Sequence, residues 1–164
     1  MKIAIISDTH DNLQNLRVFF DFAKKEDIEA IIHCGDTAHG ETLEEILKNF
    51  SGRIFLSFGN MDFREEFEIF KKNERLKIFK EFGEAEIGGI KIGFCHFPEL
   101  AMKRCAEYDY VFYGHTHKPW LEKIGYCFLA NPGNLAGQYF AASFAVLDTG
   151  ANHLSLVPFD KIII

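Results

Sequence analysis

The sequence predicts an α/β fold, with residues 1–164 forming a single domain in which two β-sheets associate. As far as Asp62, short apolar runs alternate with helical stretches at crossover length, the pattern of parallel βαβ units. From Trp120 onward the pattern changes to hairpins and a mostly antiparallel half. No linker, repeat or low-complexity segment divides the two, and 164 residues suffice for one core.

Residues 2–7 form a nearly all-apolar run, as in a strand buried on both faces. Asp11, with Gln14 three residues on, reads as a helix N-cap close to a capping box, followed by Leu13, Leu16, Phe20 and Ala23 at helical spacing. Residues 28–34 are a second buried run, ending at Gly35-Asp36. Thr42 and Glu45 repeat the capping-box pattern ahead of Leu43, Ile46, Leu47 and Phe50. Residues 53–58 are the third run, ending at Gly59-Asn60-Met61-Asp62.

In the middle, residues 63–72 read as a charged helix and residues 76–82 as a strand or a connection. Residues 84–87 and 90–95 flank Gly88-Gly89, a hairpin signal, and His96 ends the second of them. Pro98 suits the first turn of a helix running to about residue 107. Residues 110–113 are a strand leading to Gly114-His115-Thr116-His117. If the chain stays extended there, the two imidazoles share a side. Residues 120–124 with 126–130, and 143–148 with 153–157, complete the hairpins.

Composition narrows the function classes. Hydrophobic residues at 48% and charged residues at 26% are globular values. The 18 phenylalanines fit a core filled by rings, or apolar surface kept for a homodimer or higher homo-oligomer. A net charge of -6 opposes binding to duplex nucleic acid but admits a small nucleotide. No run is long enough for a signal peptide or membrane span, which points to a cytoplasmic protein. Cys34, Cys95, Cys105 and Cys127 lie far apart beside apolar segments and read as buried free thiols.

The residues just past the strand ends are Asp8 and His10, Asp36, Asn60, His96, and His115 with His117. Singly, each has an ordinary reading: a cap for Asp8, turns for Asp36, Asp62 and Asn60, a satisfied core position for His96. Together, five successive strand ends deliver a carboxylate, imidazole or amide oxygen where open α/β sheets bind ligands. Seven such donors suit two ions, and the lack of a thiolate favours Mn, Fe, Co, Ni or Zn, with Mn first.

This ordered set, Asp8-x-His10, Gly35-Asp36, Gly59-Asn60-Met61-Asp62, His96 and Gly114-His115-Thr116-His117, resembles the calcineurin-like metallophosphoesterase superfamily, nearest its small bacterial and archaeal phosphodiesterases. The resemblance runs from residue 3 to about 134, including Asn131-Pro132-Gly133. It implies a four-layer αββα sandwich of two mixed sheets. It also implies that Asp8, His10 and His117 hold one ion, Asn60, His96 and His115 the other, and that Asp36 bridges. Met61 stands where many members carry a proton-donating histidine, and Phe97-Pro98 where small members often carry Gly-His, which alters the pocket rim.

The expected reaction is hydrolysis of small aryl or cyclic-nucleotide phosphodiesters by a metal-bridging hydroxide, Asp36, Asn60 and His96 acting through it. Leaving groups of low pKa suit a site without a histidine acid; His39 is a weak substitute and otherwise an exposed loop residue. His33 reads as structural. The rival readings are a phosphomonoesterase on the same ions and a protein-binding scaffold of the same fold.

Overall fold

The computed structural model describes residues 1–162. β1 (Lys2–Ile6), β2 (Ile28–His33) and β3 (Arg53–Ser57) run parallel, linked by helices α1 (Leu13–Lys25) and α2 (Gly40–Asn49). β4 (Leu76–Phe79) adds a fourth parallel strand. The hairpin β10 (Ser143–Asp148) and β11 (His153–Pro158) returns to pair antiparallel with β1, giving the order β11-β10-β1-β2-β3-β4. β5 (Phe82–Ile87), β6 (Ile90–Cys95), β7 (Tyr110–Phe112), β8 (Trp120–Ile124) and β9 (Cys127–Asn131) form the second sheet, ordered β5-β6-β7-β9-β8. Helix α3 (Pro98–Arg104) crosses between β6 and β7.

Strand alternation divides the interior. Ala4 and Ile6 face one side of the first sheet, packing with Leu16, Phe19 and Leu43 of the helices. Ile3, Ile5 and Ile32 face the other, against Ile92, Phe94 and Phe112 of the second sheet. Helix α3 covers the far side of that sheet through Ala101, beside Val111 and Leu129. The layers are therefore helix, sheet, sheet, helix, as expected from the resemblance. Phe19, Phe67, Phe94, Phe112 and Phe144 are fully buried, so rings do fill the core.

Several local expectations are corrected. Helix α1 is capped by Asn12, whose side chain accepts the Asn15 N–H at 3.0 Å; Asp11 is turned away with φ 57. Helix α2 starts at Gly40, so Thr42 is inside its first turn and its hydroxyl goes to Asp11 at 2.6 Å. Residues 64–70 form a 3-10 helix, Arg64–Phe70, around buried Phe67; Glu65 and Glu68 are exposed, and the Glu66 carboxylate accepts the Gly40 N–H at 2.8 Å. From Trp120 onward the hairpins β8-β9 and β10-β11 are antiparallel as expected, while the second sheet as a whole is mixed, β7 pairing parallel with both β6 and β9 across α3 and β8. Cys105 and Cys127 are joined as a disulfide, brought together across 22 residues with Cα atoms 5.9 Å apart; Cys34 and Cys95 are buried free thiols. Among the described residues, no helix is long and apolar enough to cross a membrane.

Candidate metal centre

The ends of β1, β2, β3, β6 and β7 open at one edge of the sandwich, and backbone hydrogen bonds tie their loops together. The Asp8 N–H donates to Gly35 O at 3.0 Å, and the Thr9 and His10 N–H groups donate to Asp36 O at 2.9 and 3.1 Å. The Gly114 N–H donates to His96 O at 3.0 Å. Asp8, His10, Asp36, His115 and His117 all have left-handed backbone, with φ between 43 and 65°. Such a conformation costs a non-glycine residue about 1 kcal/mol or more, and its clustering is typical of functional loops. Gly114 is needed because a Cβ there would strike Ser7 Oγ and Asp8 Oδ2.

Two groups of donors result. Asp8, His10 and His117 form one, and Asp8, Asp36 and His96 form the other. His117 Nε2 lies 3.3 Å from Asp8 Oδ1 and 3.4 Å from His10 Nε2. Asp36 Oδ2 lies 3.3 Å from His96 Nε2 and 3.7 Å from His10 Nε2, so one carboxylate oxygen reaches both groups. Asn60 Oδ1 stands 3.0 Å from His96 Nε2. His115 is exposed outside both tight groups, its ring 5.1 Å from that of His96. His115 and His117 thus part toward different groups; the chain does not continue extended past Gly114.

The donor chemistry fits cations. His96 Nδ1 is 2.9 Å from Cys34 O and His117 Nδ1 is 3.3 Å from Gln138 O, so in the neutral rings Nδ1 carries the proton and Nε2 offers a lone pair. Those lone pairs converge on Asp8, Asp36 and Asn60 oxygens, which are acceptors as well. Asp8 Oδ1 is fully buried and receives no hydrogen bond among the described residues. Acceptors crowded without protons call for positive charge between them. Burial opposes the charged forms of Asp36 and His96, yet their mutual contact and the neighbouring charges hold Asp36 low and lift His96. Contact with Asp8 lifts His117 against its burial.

The supporting roles of Asp62, Asn131 and Asn134 are visible only in the structure. Asp62, part of the Gly59-Asn60-Met61-Asp62 motif but given no role beyond a turn, accepts the Asp36, Ala38 and Gly59 N–H groups with its carboxylate at 3.0, 2.9 and 2.6 Å. Asn131 donates to Gly114 O and Thr116 Oγ1 at 2.9 and 3.0 Å, and Asn134 to His117 O at 3.2 Å. The Asn-Pro-Gly-Asn stretch therefore props the histidine loop, and its two asparagines flanking a turn were the available signal.

The remaining sites are placed as follows. His39 precedes α2 outside both donor groups without capping it; its Nδ1 contacts Asp11 Oδ2 at 2.6 Å and its ring stacks on Phe63 at 4.2 Å. Met61 is exposed, and its N–H donates to Asp36 Oδ1 at 2.8 Å. His33 is buried, and His153 is exposed.

Donor-bearing strand ends gathered at one edge of a two-sheet sandwich are the arrangement of a metal-dependent phosphoesterase, and this chain belongs to that class: the model of the calcineurin-like phosphoesterase superfamily domain matches residues 1–152. It is 34% identical over 161 residues to Phosphodiesterase MJ0936 of Methanocaldococcus jannaschii, covering 91% of this chain and 93% of that relative. A solved archaeal phosphodiesterase superposes with a TM-score of 0.88 at 31% identity, covering 96% of this chain and 99% of the other. The phosphoesterase Yfce from E. coli superposes at 0.69, covering 97% and 100%; at 18% identity it shows the fold alone.

Proposed function

We propose that the protein is a phosphodiesterase that hydrolyses small phosphodiesters with two divalent cations. The relatives named as phosphodiesterases support the reaction class. One observation carries the dinuclear reading: Asp36 Oδ2 stands 3.3 Å from His96 Nε2 and 3.7 Å from His10 Nε2, between the two donor groups. Asp8, His10 and His117 would hold one ion, Asn60, His96 and His115 the other, with Asp36 shared. Oxygen and imidazole donors without thiolate suit Mn, with Ni, Fe, Co and Zn as alternatives. When bound, the ions supply a nucleophile at neutral pH and Lewis-acid stabilisation of the phosphoryl oxygens.

The chain's own residues set the rest. The carbonyls of Cys34 and Gln138 fix the tautomers that aim Nε2 of His96 and His117 inward. Buried Asp8 and Asp36 keep the centre's net positive charge small, so phosphate is attracted without being held fast. The thioether of Met61 cannot donate a proton, so the departing oxygen leaves as an anion; aryl esters, with low-pKa leaving groups, and 2′,3′-cyclic phosphates, helped by ring strain, react best. His39 is the weaker candidate for a donor: contact with Asp11 raises its pKa, although it sits outside both ligand groups.

The test is metal analysis joined to matched substrates, bis(p-nitrophenyl) phosphate and p-nitrophenyl phosphate, with added Mn, Ni, Co or Zn. We expect about two ions per chain and at least about tenfold greater kcat/KM on the diester. Preference for the monoester would make it a phosphomonoesterase. Bound ions with no turnover of either ester would favour the protein-binding reading.

A further inference from the structure

Two exposed aromatic rings rest on the histidines of the centre. The Phe97 ring lies 4.9 Å from that of His96 and 5.0 Å from that of His115. The Tyr139 ring lies 5.4 Å from that of His117. Phe97 thus stands beside one donor group and Tyr139 beside the other. Large rings are ordinarily covered, yet Phe97 is 38% exposed and Tyr139 is 89% exposed.

Both rings are held by rigid backbone. The Phe140 N–H donates to Gln138 O at 2.7 Å, closing a three-residue γ-turn around Tyr139 at φ 64, a strained conformation for a bulky residue. Asn134 clamps that turn on both sides, accepting the Gln138 N–H at 2.9 Å and donating to Phe140 O at 3.4 Å. The same Gln138 carbonyl fixes the His117 tautomer, so the turn that displays Tyr139 is also part of the centre. Phe97 precedes Pro98 at the start of α3, and its carbonyl accepts the Ala101 N–H at 3.2 Å. Strain kept in an exposed aromatic tip beside a reactive centre implies use of the ring rather than its burial.

We propose that Phe97 and Tyr139 form an aromatic clamp for the ester groups of the substrate, selecting phosphodiesters that carry a flat π-system, aryl or nucleobase, over alkyl diesters. The inference rests on the phosphodiesterase reading and deepens it. Phe97 and Tyr139 offer exposed aromatic rings beside the centre. Stacking is sequence-tolerant, because every base or aryl group has a π-face.

The experiment compares methyl p-nitrophenyl phosphate, phenyl p-nitrophenyl phosphate and the p-nitrophenyl ester of thymidine 5′-phosphate, which share a leaving group. In the double variant F97A/Y139A, the kcat/KM ratio of each aromatic diester to the methyl diester should fall about five- to tenfold relative to wild type. The single variants assign the ring, and Tyr139→Phe, which keeps it, should keep the ratio. The phenyl and thymidine arms separate a general aryl clamp from one shaped for a nucleoside. A second readout needs no turnover: calorimetric Kd for phenyl phosphate against methyl phosphate, where the double variant should lose the same preference. Unchanged ratios and unchanged binding preference, with the methyl diester still turned over, would overturn the clamp alone. Wild type that turns over none of the three esters would instead overturn the phosphodiesterase reading, and the phosphate-binding comparison would still decide the clamp.

Discussion

Asp62 binds the backbone of Asp36 while the loop of Asp62 binds the side chain of Asp36. The Asp62 carboxylate accepts the Asp36 N–H at 3.0 Å, and the neighbouring Met61 N–H donates to Asp36 Oδ1 at 2.8 Å. The loops after β2 and β3 are thereby laced together, and Asp36 Oδ2 is left to face the centre. Burial lifts the pKa of Asp62 even though three N–H groups favour its anion. Replacing Asp62 by Ala strands those donors and should cost about 3 kcal/mol in urea denaturation, with weaker metal binding alongside. A loss below about 1 kcal/mol would mean that water replaces the carboxylate without penalty.

The shared position of Asp36 Oδ2 makes a sharper demand on metal binding. Asp36→Asn keeps the shape but removes the charge, so both ions should be held at least about tenfold more weakly and diester turnover should fall more than about a hundredfold. Calorimetric titration of the metal-free variant reads the first effect independently of the second. Activity within about threefold of wild type would refute the bridging role.

His33 supplies a pH test. It is fully buried, with the Gly35 N–H donating to its Nδ1 at 3.2 Å and Thr9 Oγ1 2.8 Å from its Nε2. That arrangement suits the neutral ring, and burial pushes its pKa down from 6.5 to about 4. Above pH 6.5 folded and unfolded chains are both neutral here and the full stability is present. As pH falls from there toward 4, the unfolded chain takes up a proton that the folded one refuses, so stability drops by up to about 1.4 kcal/mol per pH unit. His96 and His117, whose pKa values are raised, act in the opposite sense, so the reading must be a difference. The unfolding free energy of wild type minus that of His33→Gln should shrink by about 3 kcal/mol between pH 7 and 4. A constant difference would show that folding leaves the pKa of His33 unchanged.

What could be read from the chain follows from how local its cause is. The strands of the first sheet are buried on both faces, so β1, β2 and β3 announce themselves as apolar runs, and their polar successors Asp8, Asp36 and Asn60 mark the edge where ligands gather. The partings are non-local. Asn12 rather than Asp11 caps α1 because Asp11 is taken by His39 and Thr42, residues 28 and 31 positions away. His117 leaves the side of His115 because both residues have left-handed backbone, propped by Asn131 and Asn134. The scaffolding by Asp62 and Gln138 likewise depends on partners distant in sequence, which no periodicity encodes.

The disulfide is the clearest of these non-local features and carries its own test. Cys105 begins the short 3-10 turn Cys105–Glu107 after α3, and Cys127 begins β9. Closing a 22-residue separation should stabilise the chain by about 3 kcal/mol through the unfolded state. The urea midpoint of wild type should fall on adding reductant, whereas Cys127→Ala should sit at the lower midpoint with or without it. Identical wild-type midpoints in both conditions would mean the two sulfurs stay reduced in solution.

Met61 tests the chemistry of departure. Its backbone is pinned to Asp36 Oδ1, while its side chain is half-exposed beside Asn60 at the rim. A histidine there would bring a titratable N–H to the leaving oxygen on a backbone that is already fixed. Met61→His should raise kcat for diesters with poor leaving groups, such as phenol, by about tenfold or more, and change p-nitrophenolate release less than about twofold. Met61→Gln, similar in size but with no proton to give, should do neither. The gain should fade as pH rises through the new imidazole's pKa, because only its protonated form donates. Equal effects on both leaving groups would mean that protonation does not limit the reaction and that Met61 shapes the rim in some other way.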